Sequence, residues 1–189
     1  MADPTRKPPG HWKVTGSRVA LRDQWIDVRA DDCLRDDGLV IAPYYVIDCP
    51  DWVQVIAIDD DENMVLIRQY RHGAGRVTLE IPSGCVDPDD ADPTAAGARE
   101  LLEETGYASD TIRHIGTITN NPANHTNRIF IVLAENARKV AGQKLDDNEE
   151  IEVELKPVAE ARTIALAGGF DHSAQIASVL IALEARSAL

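Results

Sequence analysis

The sequence predicts an α/β fold, with a strand-rich N-terminal subdomain over residues 1–52 and an α/β domain over residues 53–189. Short runs of β-branched and aromatic residues, separated by turn residues, recur as far as Ile81. One short acidic helix then interrupts the strands, further strands follow, and two helical patterns come last. Strands and helices arranged in this way are typical of an α/β fold.

The first part of the chain is predicted to form a hairpin. Trp25–Arg29 and Leu39–Ile41 flank Asp36-Asp37-Gly38, which favours a tight turn. The polar stretch Asp59–Asn63 is interpreted as a turn, since it lacks the spacing of a calcium loop. Further predicted strands follow the hairpin in chain order: Tyr44–Ile47, Val53–Ile58, Met64–Ile67, Val77–Ile81, Ile112–Ile118, Arg128–Ala134 and Ile151–Leu155.

Three helices are predicted from their end signals and periodicity. Asp92 is a suitable N-cap, Pro93 suits the first helical position, and Gly106 suits the position just past the helix end. Pro157–Ala167 is predicted to form a second helix that Gly168-Gly169 ends. An amphipathic C-terminal helix follows from apolar residues at helical spacing, namely Ile176, Val179, Leu180 and Leu183.

The first helix carries three carboxylates on one face. At about 100° per residue, Glu100, Glu103 and Glu104 fall within an arc of roughly 100°. Like charges on adjacent turns destabilise a helix, and a hard divalent cation such as Mg²⁺ would relieve the repulsion. Ala95, Ala98 and Leu102 lie on the opposite arc and are expected to pack against the sheet. A solvated acidic face is the alternative interpretation.

The sequence around this helix resembles the Nudix hydrolase family, whose signature reads G-x5-E-x7-R-E-U-x-E-E-x-G-U, where U is an aliphatic or aromatic residue. Gly84 matches the first glycine, and Arg99–Tyr107 matches the second half without a gap. The loop between them is one residue longer than the pattern, and Asp90 is the nearest acidic substitute for its first glutamate. The resemblance implies an α/β/α sandwich with mixed sheets. It also implies that Arg99 braces this loop.

Three further features resemble the ADP-ribose pyrophosphatase branch of the family. They are the stretch Leu66–His72 with Leu79–Gly84, the proline Pro122 sixteen residues past Gly106, and the acidic loop Asp146–Glu152. The N-terminal strand subdomain of relatives in this branch is often used to make homodimers. The resemblance therefore implies a dimerisation element in residues 1–52 and a Nudix hydrolase domain in residues 53–189.

The resemblance also assigns roles to individual residues. It implies that Glu100, Glu103 and Glu104 bind the metal ion, with the Ser83 carbonyl as a further ligand. Glu103 and Glu104 would act in catalysis through this metal ion. Glu149 is the first choice for the general base, with Asp147 and Glu150 as rivals. Substrate binding is expected at one set of residues, namely Arg71, Arg68, Trp25, Trp52, Glu80 and Pro122. Structural roles are expected at another set, namely Gly84, Arg99, Asp90 and Gly106.

Composition restricts the partners and the compartment. The net charge of −13 disfavours binding to long nucleic acids. No apolar run approaches the ~20 residues needed to span a membrane, and Met1–Gly10 has no apolar segment of a secretory signal. Cys33, Cys49 and Cys85 are widely spaced, which favours reduced thiols and a cytoplasmic location.

The sequence therefore predicts a Mg²⁺-dependent hydrolase, with Mn²⁺ as a possible substitute, that cleaves the pyrophosphate bond of a nucleoside diphosphate sugar. ADP-ribose is the expected substrate, giving AMP and ribose 5-phosphate. GDP-mannose or another nucleoside diphosphate derivative is the alternative substrate. A catalytically weak nucleotide-binding module is the alternative function, because the loop before Arg99 carries an extra residue and lacks the glutamate of the pattern.

Overall fold

The computed structural model describes residues 10–146 and 148–187, which divide into two compact units. The first unit holds the described residues up to Cys49 together with Asn121–Thr126. The second unit holds Pro50–Asn120 and the described residues from Asn127 onward. The main break in the chain falls between Cys49 and Pro50, and the sequence did not predict that Asn121–Thr126 joins the first unit.

The first unit is an antiparallel sheet in the order β1-β2-β3, formed by Lys13–Arg22, Asp27–Leu34 and Val40–Ile47. Gly38, at a φ of 85°, lies in the predicted turn between β2 and β3. The sequence did not predict β1, because this strand is exposed along almost its whole length and has no regular alternation of apolar residues. β3 was predicted as two strands, but it runs without interruption through Pro43.

The second unit contains the remaining elements of the described chain. Its strands are β4 (Trp52–Asp59), β5 (Asn63–Arg71), β6 (Arg76–Glu80), β7 (Ser83–Cys85), β8 (Tyr107–Ala108), β9 (Thr111–Thr119), β10 (Arg128–Lys139) and β11 (Ile151–Pro157). Its helices are α1 (Pro93–Thr105), α2 (Val158–Leu166) and α3 (Ser173–Ser187). The strands predicted in this unit and all three helices are confirmed, and the turn predicted over Asp59–Asn63 lies at residues 60–62, between β4 and β5.

The sheet of the second unit is mixed. β4 and β10 lie side by side and parallel, while β5 and β9 pair antiparallel with β4 and β10, respectively. One core cluster packs Ala96 and Leu101 of α1 against Val55 and Val132 of the sheet. The other cluster packs residues of α2 and α3 against Ile56, Leu66 and Ile131, whose side chains point to the opposite face. This arrangement confirms the predicted α/β/α sandwich.

The ends of α1 are confirmed, but its predicted packing face is wrong. The Asp92 side chain accepts hydrogen bonds from the backbone N–H groups of Thr94 and Ala95, at 2.8 and 2.9 Å. The buried positions include Gly97 and Leu101, whereas Ala98 and Leu102 are exposed.

The close approach of α1 to β10 explains why the helix packs through the face that carries Gly97 and Leu101. A Cβ atom added to Gly97 would lie 3.2 Å from the Val132 side chain, so the helix contacts β10 through a residue with no side chain. The hydrophobicity of Leu102 therefore did not decide the orientation of the helix. No helix among the described residues is both long and apolar enough to cross a membrane.

Candidate active site

The site forms where β6 leads through Ile81-Pro82 into β7 and then into the loop before α1. A turn inside this loop is fixed by two hydrogen bonds between Asp87 and Asp90. The Asp87 N–H donates to the Asp90 carboxylate at 2.9 Å, and the Asp90 N–H donates to the Asp87 carbonyl at 3.0 Å. The turn directs the Asp90 carboxylate towards α1.

Arg99 joins this loop to the helix. Its guanidinium donates to both carboxylate oxygens of Asp90, at 3.2 and 2.9 Å, and to the Cys85 carbonyl at 2.9 Å. The Asp90 side chain is only 8% exposed, and the guanidinium holds the pKa of this carboxyl below its usual range. The loop, one residue longer than in the family pattern, thus brings Asp90 into contact with Arg99 although aspartate is shorter than the glutamate of the pattern. A role of Arg99 in bracing this loop requires such a contact.

The same guanidinium also contacts two of the three carboxylates predicted to bind metal. Arg99 donates to Glu100 at 2.8 Å and to Glu103 at 3.1 Å. These ion pairs reduce the repulsion between neighbouring carboxylates on the helix.

Glu104 occupies a different environment. Its side chain accepts one hydrogen bond from the backbone N–H of Ser83, at 2.9 Å, and the residue is 3% exposed. Burial raises the pKa of the Glu104 carboxyl to about 8, and the charges of Glu100 and Glu149 act in the same direction. Burial likewise raises the pKa of Glu100. Glu104 is therefore a buried carboxylate with no ion-pair partner among the described residues, and a bound cation would compensate its charge.

Two glycines allow the chain to approach itself closely. A Cβ atom at Gly84 would overlap the Glu100 carboxylate, so a larger residue would displace this acid. Gly106 has a φ of 74° and its N–H donates to the Leu102 carbonyl at 2.8 Å, while a Cβ atom there would strike the Ala141 carbonyl. Gly106 thus ends α1 and lets the segment after β10 pack against it.

These residues line a cavity of about 250 Å³ in the second unit. Its lining contains carboxylates, three basic side chains, and few apolar groups. The lining residues are Trp52, Gln69, Arg71, Ser83, Gly84, Cys85, Asp87, Arg99, Glu100, Glu103, Glu104, Lys144, Asp146 and Glu149. The structure thus brings together most of the residues that the sequence predicted for the site.

Arg71 reaches the cavity, but its guanidinium is already paired. It donates to both oxygens of the buried Glu80 carboxylate, each at 2.7 Å. Glu80 also accepts from Thr78 at 2.6 Å and from the Gln175 amide at 3.1 Å. Gln175 comes from α3 and also accepts from the Ile81 N–H at 3.0 Å, so it fixes the strand that leads into the site.

Arg68 does not line the cavity. It follows Ile67 on β5, and successive side chains on a strand point to opposite faces. Its guanidinium donates to Glu154 of β11 at 2.6 Å. The prediction that Arg68 binds phosphate therefore has no support from the geometry, whereas Gln69 and Arg71 lie on the cavity side.

The acidic loop after β10 contributes Asp146 and Glu149 to the lining. The Glu149 carboxylate accepts a hydrogen bond from the Asp146 N–H at 3.0 Å, so it closes a turn within its own loop. Glu150 is exposed and is absent from the described lining, and Asp147 lies outside the described residues. Among the three candidates for the base, Glu149 is the described residue that faces the cavity.

The predicted aromatic and proline contacts belong to different units. Trp52 starts β4 and lines the cavity of the second unit. Trp25 and Pro122 belong to the first unit, where Trp25 is 78% exposed. Substrate binding by Trp25, Trp52 and Pro122 stays a prediction.

Lys144 and Gln175 are site residues that the sequence interpretation missed. Lys144 precedes the acidic loop, so its position beside that loop was an available signal. Gln175 lies 95 residues from Glu80 in the chain and gives no local signal of their contact.

The donor set fits a hard divalent cation. Carboxylate and carbonyl oxygens at Glu100, Glu103, Glu104 and Ser83 are of the type that Mg²⁺ binds. Among the described residues, no three acidic, histidine or cysteine side chains are already gathered in a geometry that could hold a metal ion.

The sequence matches two protein families and several known proteins. The NUDIX domain family matches residues 51–177, and the nucleoside diphosphate sugar hydrolase N-terminal domain matches residues 12–47. An ADP-ribose pyrophosphatase of Mycobacterium tuberculosis is 32% identical over 168 residues, which cover 88% of this chain and 77% of that protein. An ADP-ribose pyrophosphatase of Bacillus subtilis is 28% identical over 109 residues, or 57% of this chain and 58% of that protein.

A crystal structure of an ADP compounds hydrolase has the same fold, with a TM-score of 0.83 at 20% identity. The alignment covers 95% of this chain and 96% of that one. The predicted resemblance is confirmed, because the family match spans more than half of the sequence and includes the loop and helix of the site. The chain belongs to the Nudix family and is a Nudix pyrophosphohydrolase.

Proposed function

We propose that this enzyme hydrolyses ADP-ribose to AMP and ribose 5-phosphate with Mg²⁺ as its cofactor, Mn²⁺ being a substitute. The observation that carries the proposal is the cavity in which Glu100, Glu103 and Glu104 face Arg71 and the acidic loop. The similarity to two ADP-ribose pyrophosphatases favours this substrate among nucleoside diphosphate sugars.

Glu100, Glu103, Glu104 and the Ser83 carbonyl would hold the cation. When bound, it would neutralise the anionic oxygens of the pyrophosphate and favour attack by water. Arg99 positions Glu100 and Glu103 through its hydrogen bonds to both. Arg99 is in turn held by Asp90, so the loop before α1 stays in a fixed position relative to the helix that carries the proposed ligands.

Glu149 would accept the proton from the attacking water. It lines the cavity, and the hydrogen bond that it accepts comes from its own loop rather than from the rigid sandwich. A small movement of the loop would therefore free the carboxylate for this role. Arg71, positioned by Glu80, presents its partly exposed guanidinium to the cavity and would contact a phosphate oxygen of the substrate.

The enzyme is further proposed to be a cytoplasmic homodimer. The first unit exposes many large apolar side chains, which a second copy would cover. They are Trp12, Val14, Val19, Leu21, Trp25, Leu39, Val40 and Tyr45. The three cysteines, all within the described residues, form no disulfide, which is consistent with a reducing compartment.

A substrate panel tests the proposed function. The protein is incubated with Mg²⁺ and, separately, with ADP-ribose, GDP-mannose, ADP-glucose, NADH and dinucleoside polyphosphates, and products are detected after coupling to a phosphatase. We expect the highest kcat/KM with ADP-ribose. A preference for GDP-mannose would reassign the substrate. No product from any compound would contradict the proposed function and favour a nucleotide-binding module.

A further inference from the structure

Among the described residues, three basic side chains line the cavity, and they differ in how far their charges are already compensated. Arg71 is paired with Glu80 through two hydrogen bonds. Arg99 is paired with Asp90, Glu100 and Glu103. Within the residues that the structure describes, the Lys144 ammonium makes no hydrogen bond or ion pair, although it lines the same cavity.

The backbone of Lys144 is nevertheless held firmly beside the acidic helix. Its N–H donates to the Glu103 carbonyl at 2.8 Å. The side-chain amide of the preceding Gln143 donates to the carbonyls of Glu104 and Ile151, at 2.7 and 3.0 Å. The last turn of α1 therefore fixes the backbone position of Lys144. The lysine itself is exposed.

A phosphate-bearing substrate needs such a cation. The cavity lining contains Asp87, Glu100, Glu103, Glu104, Asp146 and Glu149. These acids would repel an anionic ligand. Arg99 already makes four hydrogen bonds to carboxylates, and Arg71 holds the Glu80 carboxylate with two of its five donors. An ammonium with three rotatable donors can bind a phosphate oxygen without breaking an existing ion pair.

We propose that Lys144 is a substrate-binding residue whose ammonium binds a phosphate oxygen of the nucleoside diphosphate substrate. The proposal rests on the proposed function, because it assigns a contact within the same site. Lys144 acts on substrate binding in the ground state and in the transition state alike, so its removal raises KM more than it lowers kcat.

The test compares three variants of the full chain at saturating Mg²⁺. Lys144→Met removes the charge, Lys144→Arg keeps it, and Lys139→Met removes an equal charge from the exposed end of β10, outside the cavity lining. With ADP-ribose, Lys144→Met should raise KM roughly 10- to 100-fold, the worth of one charge-assisted hydrogen bond. Lys144→Arg should recover most of this loss, and Lys139→Met should match the wild type.

Two results would overturn the proposal. One is a KM for Lys144→Met equal to that of Lys139→Met. The other is an unchanged KM together with a lower Mg²⁺ requirement, which would show that Lys144 balances the charge of the carboxylates instead.

If the wild type hydrolyses none of the panel, the proposed function fails separately. ADP-ribose then survives in the sample, and calorimetry in Mg²⁺ compares its Kd for the same proteins. Weaker binding by Lys144→Met than by Lys139→Met would support the lysine contact, whereas equal Kd values, or no binding to the wild type, would overturn it.

Discussion

At the scale of single residues, the site combines carboxylates in unlike environments. Glu104 is buried with one backbone hydrogen bond, whereas Glu103 is partly exposed and paired with Arg99. Placing a charge in such a buried position destabilises the folded protein unless an opposite charge accompanies it. The metal-free protein is therefore expected to be less stable to unfolding than the metal-bound protein. This difference in stability should depend on pH.

The metal-free protein should lose stability as pH rises from about 4.5 to about 8, where 4.5 is the usual pKa of the carboxyl and 8 its pKa in the fold. In this window the unfolded chain ionises Glu104 while the folded chain keeps it protonated, so rising pH favours unfolding. Glu104→Gln removes this contribution. Thermal denaturation in EDTA should give the variant a higher Tm than the wild type at pH 8, with the gap closing towards pH 5.

Glu152→Gln, at an exposed position on β11, is the matched control. Its Tm should follow that of the wild type across the same pH range. A Glu104→Gln protein with the same pH profile as the wild type would contradict the account of Glu104.

Asp90 should matter to turnover although the family pattern has a glutamate there. Asp90→Asn removes the charge that fixes Arg99, so the proposed ligands Glu100 and Glu103 would lose the side chain that holds them both. We expect kcat to fall roughly 10- to 100-fold, the usual cost of a small misplacement of catalytic groups. Asp89→Asn, at the exposed neighbouring position, should have no such effect, and equal kinetics of the two variants would remove Asp90 from the bracing role.

At the scale of elements, local signals and long-range contacts were predictable to different degrees. The ends of α1 followed from Asp92, Pro93 and Gly106, because capping depends on a few neighbouring residues. Its packing face was mispredicted. The face depends on the close approach of Gly97 to Val132 of β10, and the spacing of apolar residues along the helix does not reveal this contact. The place of Arg71 in the cavity was predicted, but its pairing with Glu80 and the support from Gln175 depend on contacts across the sheet.

The acidic loop is the element whose role a single substitution can test. Glu149→Gln should keep the KM for ADP-ribose close to that of the wild type and lower kcat roughly 100- to 10,000-fold, the range for losing a general base. Steady-state kinetics of Glu150→Gln provide the matched control, because Glu150 is exposed and outside the described cavity lining. Full activity of Glu149→Gln, with a loss in Glu150→Gln or Asp147→Asn, would transfer the role to that neighbour.

At the scale of the whole molecule, the exposed apolar side chains of the first unit predict self-association. Light scattering at micromolar concentration should give about twice the chain mass of 20.7 kDa. Val19→Asp, on β1, should shift the mass towards the monomer, since a buried charge would have no partner in the interface. Leu166→Asp, at a similarly exposed position of the second unit, is the control. A wild-type protein that scatters as a monomer would contradict the dimer.

The central claim is that the Glu100, Glu103 and Glu104 face supports metal-dependent cleavage of a pyrophosphate bond. Phosphorus NMR of ADP-ribose with Mg²⁺ and the enzyme follows this bond directly. We expect the two pyrophosphate resonances to give way to those of two monophosphates, EDTA to stop the conversion, and Glu103→Gln to slow it roughly 100-fold or more. Unchanged pyrophosphate resonances with the wild-type enzyme, or an equal rate with Glu103→Gln, would contradict it.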